Sequence, residues 1–266
     1  MANYTTADIK ALREKTGAGM LDVKKALDEA NGDAEKAIEI IRVKGLKGIA
    51  KREGRAASAG LIAAKVVDSG NGQGGVLVEI NAETDFVAKN QKFLDYAEQV
   101  LTAALDSGAT DAEALAEVEV DGSTVKELTD GMQAVIGEKI VVRRVGRLEA
   151  DKIELYLHRT NPDLPAQVGV LVGTDAKAAE VAHDVAMHIA AYSPAYATRE
   201  DVPAEVVDKE RAIAEETTRA EGKPEKAIPK IVEGRLSGFF KENVLVDQAF
   251  AKDPKTTVGK VVEATG

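Results

Sequence analysis

The hydrophobic period of this chain changes near Gly60 and again near Gln91, and few folds accommodate both changes. Before about residue 50 apolar side chains recur at three- and four-residue intervals, as in Ile9 and Leu12 and again in Ala37, Ile38 and Ile41. From Gly60 the runs GLIAAKVV and GVLVEIN are β-rich, and the glycine-laden segment between them predicts a hairpin. Helical spacing returns in QKFLDYAEQVLTAAL, where Phe93, Leu94, Ala97, Val100, Leu101 and Ala104 form one stripe. Such alternation predicts an α+β fold with small antiparallel sheets.

Local stop signals divide the helical start into three. The first helix is expected from Thr5 or Thr6 to Thr16-Gly17, and the second from about Leu21 to Ala30, with Asn31-Gly32 as a left-handed stop. Asp33 is placed to cap a third helix that runs to Gly45. Three short helices make a bundle like a ubiquitin-associated domain, too small to house a reaction and suited to docking. Next comes RVKGLKGIAKREGR, Arg42 to Arg55, with six basic residues and one acid, expected to be a solvated tether, with contact to a phosphate or an acidic partner as the alternative.

After the stripe at 93–104 and a polar helical stretch, IGEKIVVRRV (Ile136–Val145) is expected as a strand, and IELYLHR as another. The string GVLV occurs at Gly75–Val78 and again at Gly169–Val172, each time followed by a helical stripe, the second containing Val181, Val185, His188 and Ile189. An internal repeat is therefore expected. Between GVLV and its helix the first copy carries about six extra residues, among them Thr-Asp-Phe. An architecture that closes without them weakens the case for Phe86 as core. From Pro203 to Asn243 two long helices flank EGKP; Val206, Ile213 and Ala220 sit at heptad spacing on one, and Ile228, Ile231, Val232, Leu236 and Phe239 mark the other. Pro229 falls early in the second helix. A short strand, VLVDQAF, and a terminal helix, TTVGKVVEA, close the chain. The expected domains are 1–54 (bundle and basic tether), 55–148 (first core subdomain), 149–202 with 244–266 (second core subdomain) and 203–243 (inserted helical hairpin).

Chemistry is sparse. Gly70-Asn71-Gly72-Gln73-Gly74-Gly75 matches the GxGxxG string, but a dinucleotide site needs a helix after it, and here both neighbours are strands. There is no Walker lysine motif. The three histidines, His158, His183 and His188, show no metal-ligand spacing, since 183 and 188 point to different helix faces. Zero cysteines exclude disulfides, thiolate metal sites and cysteine nucleophiles, so any dimer is non-covalent. The formal charge of −10 disfavours broad nucleic-acid binding. No run approaches the ~18 apolar residues of a membrane span, and MANYTTADIKALREK has no apolar secretory region. The expectation is a cytoplasmic, non-enzymatic protein without metal or cofactor, gripping another protein at several places.

Two stretches carry a specific resemblance. LREKTGAGMLDVKKAL (Leu12–Leu27) and EINAETDFVAKN (Glu79–Asn90) resemble signatures of the bacterial translation elongation factor Ts family. IGEKIVVRRV and VEGRL (Val232–Leu236) resemble it too, in the same order along nearly the whole chain. The resemblance implies a guanine-nucleotide exchange factor for elongation factor Tu, the GTPase that carries aminoacyl-tRNA. In that family the bundle docks on the partner's G domain, and Arg13, Met20 and Leu21 match the docking positions. Thr84, Asp85, Phe86 and Val87 match the segment that approaches the partner's Mg²⁺ and phosphate region. Ile136 and His158 match further core positions near the interface. A wedge such as Phe86 would displace the groups that organise Mg²⁺, with Asp85 expected to fix its loop by hydrogen bonds. Family members continue past a TVGK-type helix into a final strand bearing an aromatic and an arginine, whereas this sequence ends at Gly266. Two rivals stand beside this: a protein-binding adaptor without exchange activity, and an RNA-binding factor using Arg42–Arg55 and Arg143–Arg147.

Overall fold

The computed structural model describes residues 3–266; the start of the first expected domain lies outside the described residues. The N-terminal helices are α1 (Thr6–Thr16), α2 (Met20–Glu29) and α3 (Ala34–Arg52). Thr5 caps α1 in a reciprocal capping box with Asp8, and Gly17, at φ 68°, ends it. Asn31 and Gly32 take positive φ at the end of α2, as their sequence predicts. Leu12, Val23, Ala26, Leu27 and Ala37 form the core of the bundle.

Helix α3 departs from expectation. It does not stop at Gly45 but continues to Arg52, so most of the basic segment is helix and not tether. An interior glycine costs a helix about 1 kcal/mol, and packing offsets that cost here. A Cβ on Gly45 would come within 2.9 Å of the Ala134 Cβ, so the glycine permits close approach of a second helix. Arg52 donates to the Gln133 carbonyl at 3.2 Å, and Lys51 and Arg52 complement the negative end of the helix dipole.

There follow β1 (Ala59–Ser69), β2 (Gly72–Ala82), the single-turn α4 (Asp85–Ala88), α5 (Gln91–Ser107), α6 (Ala112–Ala116), a minimal hairpin of β3 (Glu119–Val120) and β4 (Ser123–Thr124), α7 (Val125–Ile136) and β5 (Val141–Ala150). The sheet order is β1-β2-β5; of the glycine string only Gly70 and Asn71 form the β1–β2 turn, and Gly72 to Gly75 already belong to β2. The expected stripe on α5 is buried, joined by Tyr96 and Ala103, and Leu94 packs at its margin. Ile136 belongs to the end of α7 and not to a strand. Gly137, at φ 80°, terminates that helix, and strand geometry begins only at Val141.

The remaining elements are β6 (Lys152–His158) and β7 (Val168–Thr174), which pair, then α8 (Ala182–Tyr192), α9 (Ala204–Ala220), α10 (Ile228–Asn243), β8 (Ala249–Phe250), β9 (Asp253–Thr257) and α11 (Val258–Glu263). The connection from GVLV to its helix covers 79–90 in the first instance and 173–181 in the second, a difference of three residues and not six. Helices α9 and α10 pair as expected, with Pro229 in the first turn of α10, but through a different face. Ala214 and Thr218 are buried while Ile213 is exposed, and Phe240, not Phe239, extends the Ile228–Val232–Leu236 row. Small residues on α9 let α10 close in, and the Thr218 hydroxyl is satisfied by the Ala214 carbonyl at 2.6 Å. The middle of the stretch VLVDQAF is a 3₁₀ turn, Leu245–Asp247, because the Leu245 and Val246 amides bond to the Tyr196 and Ala197 carbonyls; only Ala249 and Phe250 are strand, paired with the unforeseen β9.

The chain divides into two compact units. One comprises the chain up to Val66, Gly75–Arg147 and Leu157–Gly169; the other comprises Val67–Gly74, Leu148–Tyr156 and Val170–Gly266. The overall class is α+β with small sheets.

Candidate protein-interaction site

The Thr-Asp-Phe-Val segment forms the corner between β2 and α5. Thr84 is extended (φ −131°) and starts α4, a helix of one turn. One turn faces two ways: Val87 and Ala88 point into the core, and Asp85 and Phe86 point out. The Phe86 ring is 79% exposed, against 7% for Val87. Its described ring contact is the Lys89 ammonium, 5.6 Å from the ring centroid. Burying such a side chain is worth roughly 1.5–3 kcal/mol, so folding leaves that stabilisation unused.

The corner is nevertheless held rigidly. The Glu83 and Thr84 amides donate to Glu138 Oε2 at 3.1 and 3.0 Å, and the Thr84 hydroxyl donates to Glu138 Oε1 at 2.7 Å. In return the Lys139 amide donates to Glu83 Oε1 at 2.6 Å. Hydrogen bonds to a charged group contribute about 1.5–3 kcal/mol each, enough to exceed the roughly 1–2 kcal/mol per residue of backbone entropy lost at Glu83 and Thr84. Upstream, Asn81 donates to the Ala59 carbonyl at 3.1 Å and accepts from Arg143, which also donates to the Ala57 carbonyl at 3.0 Å. Downstream, Asn90 caps α5 by accepting from the Lys92 amide at 2.9 Å. Asp85, expected to fix the loop, has an exposed side chain that forms no hydrogen bond among the described residues; Glu138 holds the loop instead. Sequence reasoning gave no role to Glu138, Lys139 or Asn81, and placed Arg143 only in the RNA-binding rival. The available signal was GEK, Gly137 to Lys139, a polar string wedged between a helix stop and a strand.

At the α1–α2 corner, Met20 and Leu21 open α2 and are 59% and 63% exposed, while Val23, Ala26 and Leu27 take its buried face. Arg13 is exposed, and its carbonyl accepts from the Gly17 amide at 2.8 Å. A Cβ on Gly17 would lie 2.8 Å from a Val135 methyl, so this corner sits directly on the end of α7. Gly17, Phe86, Val87, Asn90, Gln91, Lys92, Val135 and Ile136 line one open depression of about 530 Å³. The structure thereby brings Gly17 of the helix corner, Phe86, Val87 and Ile136 to one place, while Arg13, Met20 and Leu21 lie outside the depression. His158, exposed at the end of β6, is not among the residues lining it.

Comparison with known proteins gives the family. The family model described as Elongation factor TS matches residues 83–266, beginning one residue before Thr84. Elongation factor Ts of Beutenbergia cavernae is 68% identical over 268 residues, covering 100% of this chain and 95% of the relative. The chain belongs to the elongation factor Ts family. Elongation factor Ts of Paenarthrobacter aurescens is 63% identical and that of Micrococcus luteus 64%, each over 269 residues with the same coverage. In this member of the family no described helix is long and apolar enough to cross a membrane. Among the described residues no cluster of three or more His, Cys, Asp or Glu side chains is placed to hold a metal ion.

Proposed function

We propose that this chain docks on elongation factor Tu through the α1–α2 corner and releases its GDP by inserting Phe86 beside the partner's Mg²⁺ and phosphate site. Membership of the elongation factor Ts family makes it a nucleotide-exchange factor for that GTPase in translation elongation. A GTPase holds its nucleotide through P-loop amides, a lysine and Mg²⁺. An exchange factor performs no covalent step: it binds the nucleotide-free partner better than the loaded one. Linkage makes the preference reciprocal, so the factor by which it weakens GDP is the factor by which GDP weakens its own binding, and incoming GTP ejects it.

In this reading Arg13, Met20 and Leu21 dock, Thr84 to Val87 form the wedge segment, and Ile136 supports the wedge from the depression it lines with Gly17, Phe86 and Val87. His158 contributes at a separate place. The bundle is the ubiquitin-associated-like module of 1–54, followed by subdomains 55–148 and 149–202 with 244–266, and by the inserted hairpin 203–243. The repeated order of hairpin and helix, β1-β2 with α5 and β6-β7 with α8, supports two related core subdomains. The protein acts in the cytoplasm without cofactor or direct nucleic-acid contact, and any self-association is non-covalent.

The observation that carries this reading is an exposed phenylalanine on a corner too rigid to fold it away. The test is release of a fluorescent GDP from elongation factor Tu, with wild type and Phe86→Ala. Central aromatic contacts are commonly worth about 2 kcal/mol or more, so the variant is expected to slow release roughly thirtyfold. Equal rates would remove Phe86 from the mechanism, and no acceleration by either protein would favour the adaptor.

A further inference from the structure

We infer that Glu138 is a positioning residue for exchange, and that the end of α7 mechanically joins the docking corner to the Phe86 wedge. The inference rests on the wedge reading above and adds the part that makes the wedge stiff.

Three contacts fall within five successive residues. Ala134 faces Gly45 of α3, and Val135 lies under Gly17 at the α1–α2 corner. Gly137 turns the chain through a left-handed conformation, and Glu138 then grips Glu83 and Thr84 with both carboxylate oxygens. Lys139 completes the splice, its amide on Glu83 and its ammonium on the Glu53 carbonyl just beyond α3. Arg55 adds an ion pair to Glu83 at 3.5 Å. One short segment therefore touches the bundle by packing and the wedge by hydrogen bonds. Displacement of the bundle on docking cannot be absorbed between them without breaking one of those contacts, because close-packed contacts deform little.

The carboxylate suits this task because it only accepts. Glu83 and Thr84 offer three donors, and a two-oxygen acceptor satisfies all three at once. Phe86 lies two residues beyond Thr84, so a loose Thr84 would let the ring sample many positions and deliver little force at a partner's nucleotide site. Glu138 itself need not touch the partner.

The experiment measures GDP release from elongation factor Tu across a range of factor concentrations, for wild type, Glu138→Ala, Glu138→Gln, Thr84→Val, Phe86→Ala and Phe86→Ala/Glu138→Ala. Glu138→Ala is expected to lower the saturating release rate roughly ten- to a hundredfold, while the concentration for half-maximal effect stays within about twofold. Glu138→Gln keeps one carbonyl oxygen for the two amides and is expected to recover most of the rate. Adding Glu138→Ala to Phe86→Ala is expected to have little further effect, because both remove one action. Hydrogen exchange at the Glu83 and Thr84 amides should quicken in Glu138→Ala. Thr84→Val removes a single hydroxyl and keeps the question answerable should the alanine variant melt below the assay temperature; a several-fold slower saturating rate is expected from it. A folded Glu138→Ala with the wild-type saturating rate would overturn the inference, as would a loss confined to the half-maximal concentration, additive effects with Phe86→Ala, or, where the alanine variant does not fold, an unaltered rate for Thr84→Val. If Phe86→Ala alone exchanges at the wild-type rate, the wedge reading itself fails, and this inference with it.

Discussion

Phe86 and Val87 are adjacent apolar residues with opposite fates within one helical turn: one is 79% exposed and the other 7%. Their substitutions should separate stability from exchange. Phe86→Ala is expected to leave the melting temperature within about 2 °C of wild type, since exposed positions change stability by about 0.5 kcal/mol or less. Val87→Ala should destabilise by about 1–3 kcal/mol through lost burial and a small cavity. Thermal melts of the two variants, run beside the GDP-release assay, check both expectations. Met20 and Leu21 follow the same logic, as exposed apolar residues opening a helix whose buried face is complete without them. These positions were legible through their resemblance to a family. Glu138 was not, because its importance lies in two amides 54 and 55 residues away that no local pattern announces.

Among the elements, α3 and α7 show how packing overrides propensity. Glycine at 45 argues for a helix end, and in the fold it is a contact surface against Ala134. Gly45→Leu should therefore push the two helices apart, costing about 1–3 kcal/mol by overpacking. Limited proteolysis after α3 and the half-maximal concentration in exchange would both report it. The pairing of α5 with α7 carries a pH dependence. Tyr96 is buried, its hydroxyl bonded to Thr129 at 2.6 Å, and desolvation raises its pKa well above the usual value near 10. A raised folded pKa means a stabilising contribution that is complete below about pH 10 and lost as the pH climbs toward the folded value. Above pH 10 stability should fall by about 1.4 kcal/mol per pH unit on this account. Urea midpoints at pH 9, 10 and 11 would show the decline, and Tyr96→Phe should flatten it.

Over the molecule as a whole, two units each have their own apolar clusters. The first holds the α5–sheet core and the bundle core, and the second holds the α9–α10 row and the cluster of Val185, Phe250 and Val258. Separate cores predict separate cooperativity. Scanning calorimetry is expected to give a calorimetric enthalpy above the van't Hoff value, with Val232→Ala moving one component and leaving the other in place. A single two-state transition shifted as a unit would count against independent cores. The formal charge of −10 puts an excess of negative groups on the chain, so its net field repels a polyanion at low salt.

Signals that act within a few residues came through in the sequence: Thr5 and Asp33 as caps, Gly17 and Asn31-Gly32 as stops, the α5 stripe, the hairpin at Gly70. They depend on backbone sterics and on side chains that reach their own helix, so neighbouring letters suffice. Where two local choices differ by about 1 kcal/mol, distant atoms chose between them. Ala134 kept α3 helical through Gly45, the small Ala214 and Thr218 turned Ile213 outward, and the carbonyls of Tyr196 and Ala197 drew Leu245 and Val246 away from a strand. The Glu138 clamp belongs to the same class. A carboxylate stabilises a corner only when folding has brought the two together, and that proximity is a property of the packed chain.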